Sequence, residues 1–251
     1  VSKKLVEDVS FEVHPGECLG ILGESGSGKS MTVKSVLGLL DKNFQVSGSA
    51  IFDGQDLLKE TKEELRRLRG SRITMVLQNP MTCFDPLYRI GNQMAETFAT
   101  HTSWNVQEIR SRCLEILDQM RIRNGEEVLE KYPHQLSGGM LQRIMIGIAM
   151  IADEPTTAID AITQYEILEE FIRIKKQKNT AMLFITHDLG AISKVADRIL
   201  VMNSGHVVDS GSFDHILKHA DDPYTRMLVE KRSAVMRRYR QILHGKESSN
   251  A

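Results

Sequence analysis

"ECLGILGESGSGKSMTVKSVLGLL" (residues 17–40) gives the clearest indication of the fold. It begins with the short apolar run "ECLGIL", continues through the glycine-rich turn "GESGSGKS", and ends with apolar residues that recur at helical spacing. We therefore expect a strand, a loop and a helix. The loop fits the pattern G-x-x-x-x-G-K-[ST] in the strand-to-helix context that this pattern requires.

The composition of this loop predicts a phosphate-binding site. Glycines let backbone N–H groups converge on phosphate oxygens, and the start of the helix adds a favourable dipole. The Lys29 ammonium is expected to reach the β- and γ-phosphates, and the Ser30 hydroxyl to ligate Mg²⁺. The residues predicted to bind the nucleotide are Gly23, Glu24, Ser25, Gly26, Ser27, Gly28, Lys29, Ser30 and Met31.

The overall composition is typical of a soluble globular protein. The chain has 251 residues, of which 41% are hydrophobic and 26% are charged. Its 32 basic residues balance 33 acidic ones, so the charge provides no reason to expect nucleic acid as a partner. No apolar run approaches the roughly 18 to 20 residues that a bilayer requires, and no secretion signal is recognisable. We expect a cytoplasmic protein that reaches a membrane only through a partner.

Three further apolar runs predict buried strands. They are "RITMVL" (72–77), "AMLFIT" (181–186) and "RILVM" (198–202), each bounded by polar residues. Helix-like stretches separate them, which favours an α/β fold with a mostly parallel sheet. Residues 89–135 are purely helical in pattern, as in "VQEIRSRCLEILDQM" (106–120), and are expected to form an inserted helical subdomain.

The predicted organisation has three parts. Residues 1–88 and 136–215 are expected to form the nucleotide-binding core around residues 89–135, and residues 216–251 a C-terminal helical tail. The basic run "KRSAVMRRYRQ" in this tail is interpreted as a solvated helix face. The three cysteines, Cys18, Cys83 and Cys113, lack metal-ligand spacing and are interpreted as reduced, structural thiols.

Several polar residues are candidates for phosphate chemistry. "IADEPTT" (151–157) supplies Asp153, expected to hold the water shell of Mg²⁺, and Glu154, expected to polarise a water for attack on the γ-phosphate. His187 ends the strand in "FITHD" and is interpreted as a γ-phosphate contact. Gln78 ends another strand, and its amide is expected to ligate Mg²⁺ or the attacking water. Taken singly, each residue would more often be a surface or structural one.

A second glycine motif, "LSGGMLQR" (136–143), starts a predicted helix. Ser137, with the N–H groups of Gly138 and Gly139, would make an anion-binding helix end suited to a γ-phosphate. The alternative is an ordinary serine-capped helix.

Taken in order along the chain, these motifs, together with "AID" (158–160), resemble the nucleotide-binding subunit of an ATP-binding cassette (ABC) transporter. The resemblance covers nearly the whole chain. It implies a P-loop NTPase (RecA-like) fold with an inserted helical subdomain and a small antiparallel β portion, and hydrolysis of ATP with Mg²⁺. It also implies that Ser137, Gly138 and Gly139 complete the ATP site of a second subunit in a head-to-tail pair, and that Asp160 contributes to the nucleotide site.

Several further sequence features resemble those of one branch of the family, the peptide and nickel importers. Met140 replaces the usual glutamine of the signature, and "QNPMTCFDPL" (78–87) and "DDPYTRML" (221–228) are familiar in that branch. The chain has no cysteine after Cys113, unlike many larger peptide-transporting members. The expected function is therefore an ATPase powering import of nickel, cobalt or a metal chelate. The alternatives are a di- or oligopeptide importer and, less expected, a soluble ABC ATPase of DNA repair or translation. A plain P-loop kinase or GTPase would not need "LSGGM".

The resemblance implies membrane partners. One is a second ABC ATPase, expected to be a paralogue, and two are permeases contacted through residues 79–90. An extracytoplasmic solute-binding protein is an indirect partner. The chain itself is expected at the cytoplasmic face of the membrane. Phe84, Pro86, Leu87 and Tyr88 are expected to form the apolar contact patch. The alternative is an ordinary subdomain hinge.

Two departures from the family pattern stand out. Only 13 residues separate Gly139 from Asp153, whereas a helix, a turn and a buried strand ordinarily need about 20. We interpret this short spacing as a gap: a segment is missing between Met150 and Ile151, and the residue numbers run on across it. The alternative, a real deletion, would remove most of the strand carrying Asp153. The family's first strand and adenine-stacking aromatic residue would precede "LVEDVSF", so no adenine contact is predicted.

One histidine pair is a candidate metal site. His215 and His219 lie four apart on a predicted helix, with Asp214 and Asp221 nearby. A solvated helix face is the favoured interpretation.

Overall fold

A central sheet of mostly parallel strands carries the architecture. The computed structural model describes residues 3–76, 80–149, 156–160 and 165–231. Within these residues the strands are β1 (Cys18–Leu22), β2 (Ile51–Phe52), β3 (Gln55–Asp56), β4 (Ile73–Val76), β5 (Thr156–Asp160), β6 (Met182–Thr186), β7 (Arg198–Asn203) and β8 (His206–Gly211). Six of them form the main sheet in the order β4-β5-β6-β1-β7-β8, and β2 and β3 form a separate antiparallel pair.

The sheet confirms the predicted α/β class. Strands β4, β5, β6, β1 and β7 run parallel, and β8 closes one edge antiparallel to β7. The four strands predicted from apolar runs are all present, with ends within one residue of those predicted. The small antiparallel β portion is present as β2 and β3.

Helices cover both faces of the sheet. They are α1 (Lys29–Val36), α2 (Lys62–Leu68), α3 (Ile90–His101), α4 (Val106–Gln119), α5 (Gly125–Leu129), α6 (Gly138–Ala149), α7 (Tyr165–Lys178), α8 (Leu189–Val195) and α9 (Phe213–Lys218). Short 3-10 turns occupy Pro80–Thr82 and Pro133–Gln135, and a further helix is described over 223–231. None of the described helices has the length and apolar character needed to span a bilayer.

The side chains of β1 divide between two apolar clusters. Leu19 and Ile21 point to one face, where they join Val33 of α1. Cys18 and Leu22 point to the other face and join a larger cluster. Because successive side chains on a strand alternate between faces, a strand covered on both sides must be apolar throughout, as β1 is.

The helices between residues 90 and 129 share the larger cluster with the sheet. Asn105 caps α4 in a reciprocal capping box with Glu108, so this helix starts where the pattern predicted. Its buried side chains pack beside α6, where Gly147 permits close approach: a Cβ there would lie 2.4 Å from Cγ2 of Ile116. This close packing couples the helical segment to the helix that begins with the second glycine motif.

The strand between β4 and β6 differs from expectation. Residues 150–155 lie outside the described residues, so the interpretation as a segment closed up in the numbering stays a prediction. Helix α6 runs to Ala149, and Asp153 lies among the residues after it that the structure does not describe. The sheet position is filled instead by Thr156–Asp160, a run rich in β-branched residues.

The C-terminal part is continuous with the core. Ser212 caps α9 directly after β8, its Oγ accepting a hydrogen bond from the His215 N–H at 3.2 Å. The expected boundary between residues 215 and 216 therefore falls inside a helix. The basic run at 231–241 lies almost wholly outside the described residues.

Candidate nucleotide-binding site

The phosphate-binding loop leaves the carboxyl end of β1 and enters α1. Gly28 has a φ of 104°, a conformation that strains residues with a side chain. Gly23 is needed for a different reason: a Cβ there would lie 2.3 Å from the Met202 carbonyl oxygen of β7. The space beside Gly26 is open, so the outer side of the loop is accessible to a ligand.

The Lys29 ammonium lies across this loop. Its Nζ donates hydrogen bonds to the carbonyl oxygens of Gly23 at 2.9 Å and Glu24 at 2.7 Å, and to the Ser27 hydroxyl at 3.1 Å. These contacts place a positive charge at the loop, where phosphate oxygens would be stabilised.

Two distant segments brace the loop. The Gly205 N–H, in the turn between β7 and β8, donates to the Ser27 carbonyl oxygen at 3.0 Å. The Glu24 N–H donates to the Tyr224 hydroxyl at 3.1 Å. The sequence does not predict Tyr224 as part of the site, because "DDPYTRML" by itself indicates only the importer branch. Nothing in a local pattern links two residues 200 positions apart.

His187 follows the strand next to the phosphate loop. Thr186, its predecessor, pairs with Leu22, the residue before Gly23. The turn is held locally, because the Asp188 N–H donates to the Thr186 hydroxyl at 3.0 Å and the Asp188 carboxylate caps α8. The His187 side chain is exposed at this edge of the sheet, where ligands of parallel sheets bind.

Asp160 ends β5 at the same edge. Its Cα partner in β6 is Ile185, one residue before Thr186. The parallel ladder therefore brings Asp160, His187 and the phosphate loop to one edge of the sheet. Gln78, Asp153 and Glu154 lie outside the described residues.

Ser137 stands before the first residue of α6. Its Oγ accepts a hydrogen bond from the Met140 N–H at 3.3 Å, and its side chain is exposed. A Cβ at Gly138 would meet open space. The start of α6 thus presents a serine hydroxyl and backbone N–H groups to the outside, as an anion-binding helix end requires.

The segment after Gln78 is only partly as expected. Leu87 is 78% exposed and Tyr88 56% exposed, and Pro86 is exposed as well. Phe84 is only 6% exposed and belongs to the larger core cluster, so its placement in a surface patch is wrong. An apolar aromatic ring next to a helical segment gains more from burial in that core than from exposure.

Comparisons with known proteins agree with this geometry. A family described as "ABC transporter" matches residues 6–164. The metal-staphylopine import system ATP-binding protein CntD of Staphylococcus aureus is 44% identical over 248 residues, which cover 96% of this chain and 92% of that protein. The oligopeptide transport ATP-binding protein OppD of Lactococcus lactis is 40% identical over 235 residues, covering 90% and 70%.

Solved structures share the fold. The ATP-binding cassette MJ0796, described as dimeric and bound to ADP and phosphate, superposes with a TM-score of 0.72 at 22% identity, covering 83% of this chain and 90% of that one. CbiO1 of Clostridium perfringens, part of an ABC transporter complex, gives 0.69 at 22% identity, covering 97% and 92%. The phosphate loop, the strand ends beside it and the sequence similarity lead to one conclusion: the chain belongs to the ABC transporter family, as one of its ATP-hydrolysing subunits.

Proposed function

We propose that this ATPase powers import of nickel, cobalt or a metal chelate through separate membrane permeases. The observation that carries the proposal is the 44% identity to a metal-staphylopine import ATPase along 96% of this chain. A di- or oligopeptide importer is the second candidate, favoured by 40% identity to OppD along 90% of the chain.

In the proposed site, residues Gly23 to Met31 cradle the ATP phosphates. Lys29, already beside the loop carbonyls, shifts its donors to the β- and γ-phosphates when the nucleotide binds. His187 contacts the γ-phosphate from the end of β6, and Asp160 adds a contact from the end of β5. Glu154 acts as the general base that polarises the attacking water.

The donors proposed for Mg²⁺ are chemically suited to it. A serine hydroxyl, a glutamine amide oxygen and a carboxylate acting through water are hard oxygen ligands, which Mg²⁺ prefers. Ser30 is half-buried in the first turn of α1, directly after Lys29 in the sequence. Ser30 and Gln78 are the proposed ligands, with Asp153 holding the surrounding waters. Held by these residues, Mg²⁺ would supply positive charge against the charge that develops on the phosphates.

The exposed start of α6 supports a shared ATP site. Ser137, Gly138 and Gly139 present an anion-binding helix end that the chain's own core does not cover. We assign this end to the γ-phosphate bound by a second ATPase, proposed to be a paralogue, in a head-to-tail pair. Binding of ATP then closes the pair, and hydrolysis removes the bridging charge.

A surface beside residues 79–90 is the proposed permease contact. Leu87 and Tyr88 are exposed there, and a nearby cavity of about 530 Å³ is lined by Leu37, Arg69, Phe84, Gln93 and Met145 among others. An amphipathic helix from a permease would bury its apolar side in this cavity. The subunit would then sit peripherally on the cytoplasmic face of the membrane, with an extracytoplasmic solute-binding protein acting only through the permeases.

Uptake by the reconstituted transporter tests the cargo. Proteoliposomes containing both ATPases, both permeases and the solute-binding protein are supplied with ATP inside and with nickel, cobalt, their chelates or oligopeptides outside. We expect ATP-dependent uptake of a metal or chelate and none of the peptides. Uptake of peptides alone would favour the second candidate.

A further inference from the structure

Three side chains near the C-terminus bring metal-ligating atoms together. Asp209 of β8, His215 of α9 and Asp221 offer ligand atoms that all lie within 4.8 Å of one another. Nε2 of His215 is 3.9 Å from Oδ1 of Asp209 and 3.7 Å from Oδ2 of Asp221. Both distances exceed hydrogen-bond length. They suit atoms that share one ion, because two ligands at about 2.1 Å from a metal stand about 3.0 to 4.2 Å apart.

The most buried member of this cluster is rigidly held. The Asp209 side chain is 3% exposed. Its Oδ1 accepts from the Ser210 N–H at 2.9 Å, and its Oδ2 accepts from the N–H groups of Asp221 at 3.1 Å and Asp222 at 3.3 Å. A carboxylate has about four acceptor sites, so one further bond remains possible, and carboxylates that ligate metals are commonly hydrogen-bonded in this manner.

The histidine ring is also confined. A Cβ at Gly211 would lie 2.7 Å from Cδ2 of His215, so the ring packs directly on the Gly211 backbone. Of the three partners expected from sequence, Asp221 joins His215 in this cluster, whereas Asp214 and His219 do not. Asp214 forms an ion pair with Lys218, and His219 does not belong to the cluster.

We propose that Asp209, His215 and Asp221 bind one divalent transition-metal ion. One imidazole and two carboxylates suit zinc, nickel or cobalt better than Mg²⁺ or Ca²⁺, which prefer oxygen ligands alone. Waters complete the coordination. The site does not depend on which cargo the transporter carries.

The site is connected to the nucleotide. The Asp222 carboxylate, next to Asp221, accepts hydrogen bonds from the N–H groups of Tyr224 and Thr225 at the start of the C-terminal helix. The Tyr224 hydroxyl in turn accepts from the Glu24 N–H of the phosphate loop. An ion bound between β8, α9 and Asp221 would fix this helix start and hold Tyr224 against the loop. Metal binding therefore strengthens nucleotide binding, because the loop is ordered in advance, and the coupling is reciprocal.

Calorimetric titration of the full chain tests the site. A Cys83→Ser background removes an exposed thiol that would itself bind metal. Without nucleotide, we expect one Ni²⁺ or Zn²⁺ ion per chain, and affinity at least about tenfold weaker in His215→Ala and in Asp221→Asn. Asp221 is 89% exposed in its side chain, so its variant keeps the fold. His219→Ala is the matched control and retains binding.

Three results would overturn the site: no binding by the parent chain, parental affinity in both His215→Ala and Asp221→Asn, or an equal loss in His219→Ala. The last result would assign the metal to the histidine pair instead.

The coupling has its own test. Affinity for a fluorescent ATP analogue is measured with and without Ni²⁺ at constant Mg²⁺. The same measurement on His215→Ala shows how much of any effect comes from Ni²⁺ bound to the nucleotide itself. We expect binding about fivefold tighter with Ni²⁺ in the parent chain and no change in Tyr224→Phe. An equal effect of Ni²⁺ in both would overturn the role of Tyr224, and no effect in the parent chain would overturn the coupling.

Discussion

Thr186 lies beside Leu22 in the parallel ladder between β6 and β1, so the two strands end at the same level. The residues that follow them, His187 and Gly23, therefore leave the sheet side by side. A histidine and a phosphate-binding loop, 164 residues apart in sequence, meet because parallel strands share one carboxyl edge.

This relationship predicts the effect of removing the imidazole. His187→Ala should retain ATP binding within about twofold but reduce the rate of ATP hydrolysis by about 100-fold or more, because a donor aimed at the γ-phosphate matters most as charge develops there. Steady-state hydrolysis by the assembled transporter and ATP-analogue binding measure the two effects. His14→Ala, an exposed histidine, is the control. Hydrolysis at the parental rate in His187→Ala would contradict the assigned role.

Lys29→Ala should weaken nucleotide binding itself. The ammonium donates to the Gly23 and Glu24 carbonyl oxygens of the loop, and loss of a hydrogen bond from a charged group costs about 1.5 to 3 kcal/mol, or roughly 10- to 150-fold in affinity. Equilibrium binding of an ATP analogue provides the measurement. Lys34→Ala, in the last turn of the same helix, should bind as the parent chain does. Equal affinity in both variants would remove Lys29 from the site.

Ser137→Arg separates the two halves of a shared ATP site. The serine is exposed at the start of α6, so a long side chain causes no clash within the subunit. ATP binding by the isolated chain should be unchanged, while hydrolysis by the assembled transporter should be abolished, because the arginine fills the space for the partner's γ-phosphate. Gln135→Arg, also exposed, is the nearby control. Unchanged turnover in Ser137→Arg would count against the head-to-tail arrangement.

Glu154→Gln should keep ATP binding and closure of the pair but lose most hydrolysis, since the amide is not a general base. Single-turnover hydrolysis and dimer formation with ATP measure these effects. Asp160→Asn should be measured alongside it, because Asp160 ends β5 at the edge of the sheet that carries the phosphate loop. Wild-type hydrolysis in Glu154→Gln, with loss in Asp160→Asn, would move the general base from Glu154 to Asp160.

The cysteines should differ sharply in reactivity. Burial raises the pKa of the Cys18 thiol to about 12 and that of the Cys113 thiol to about 11, whereas Cys83 is exposed. Thiolates are the reactive form, so iodoacetamide at pH 8 should label Cys83 in the folded chain and all three cysteines in urea. Mass spectrometry of the labelled peptides provides the measurement. Rapid labelling of Cys18 in the folded chain would contradict its burial in β1.

Local patterns predicted much of this protein. The strand, loop and helix at residues 17–40 follow from glycine placement and apolar spacing alone, as do the strands at 72–77, 181–186 and 198–202. A strand covered on both faces must be a continuous apolar run, and a helix start is set by neighbouring residues. Both signals can therefore be read from a few consecutive residues. Phe84 was misjudged because its pattern does not distinguish an apolar side chain that faces solvent from one that turns inward.

Local sequence patterns were enough to predict the family, the phosphate loop and the helix start at Ser137, because each is encoded in a few consecutive residues. Three features are visible only in the folded chain: Thr156–Asp160 fills the sheet between β4 and β6, Tyr224 contacts the phosphate loop, and His215 lies beside Asp209 rather than His219. These features depend on which surfaces pack together. Packing brings together residues that are far apart in the chain, and no local sequence pattern records such contacts.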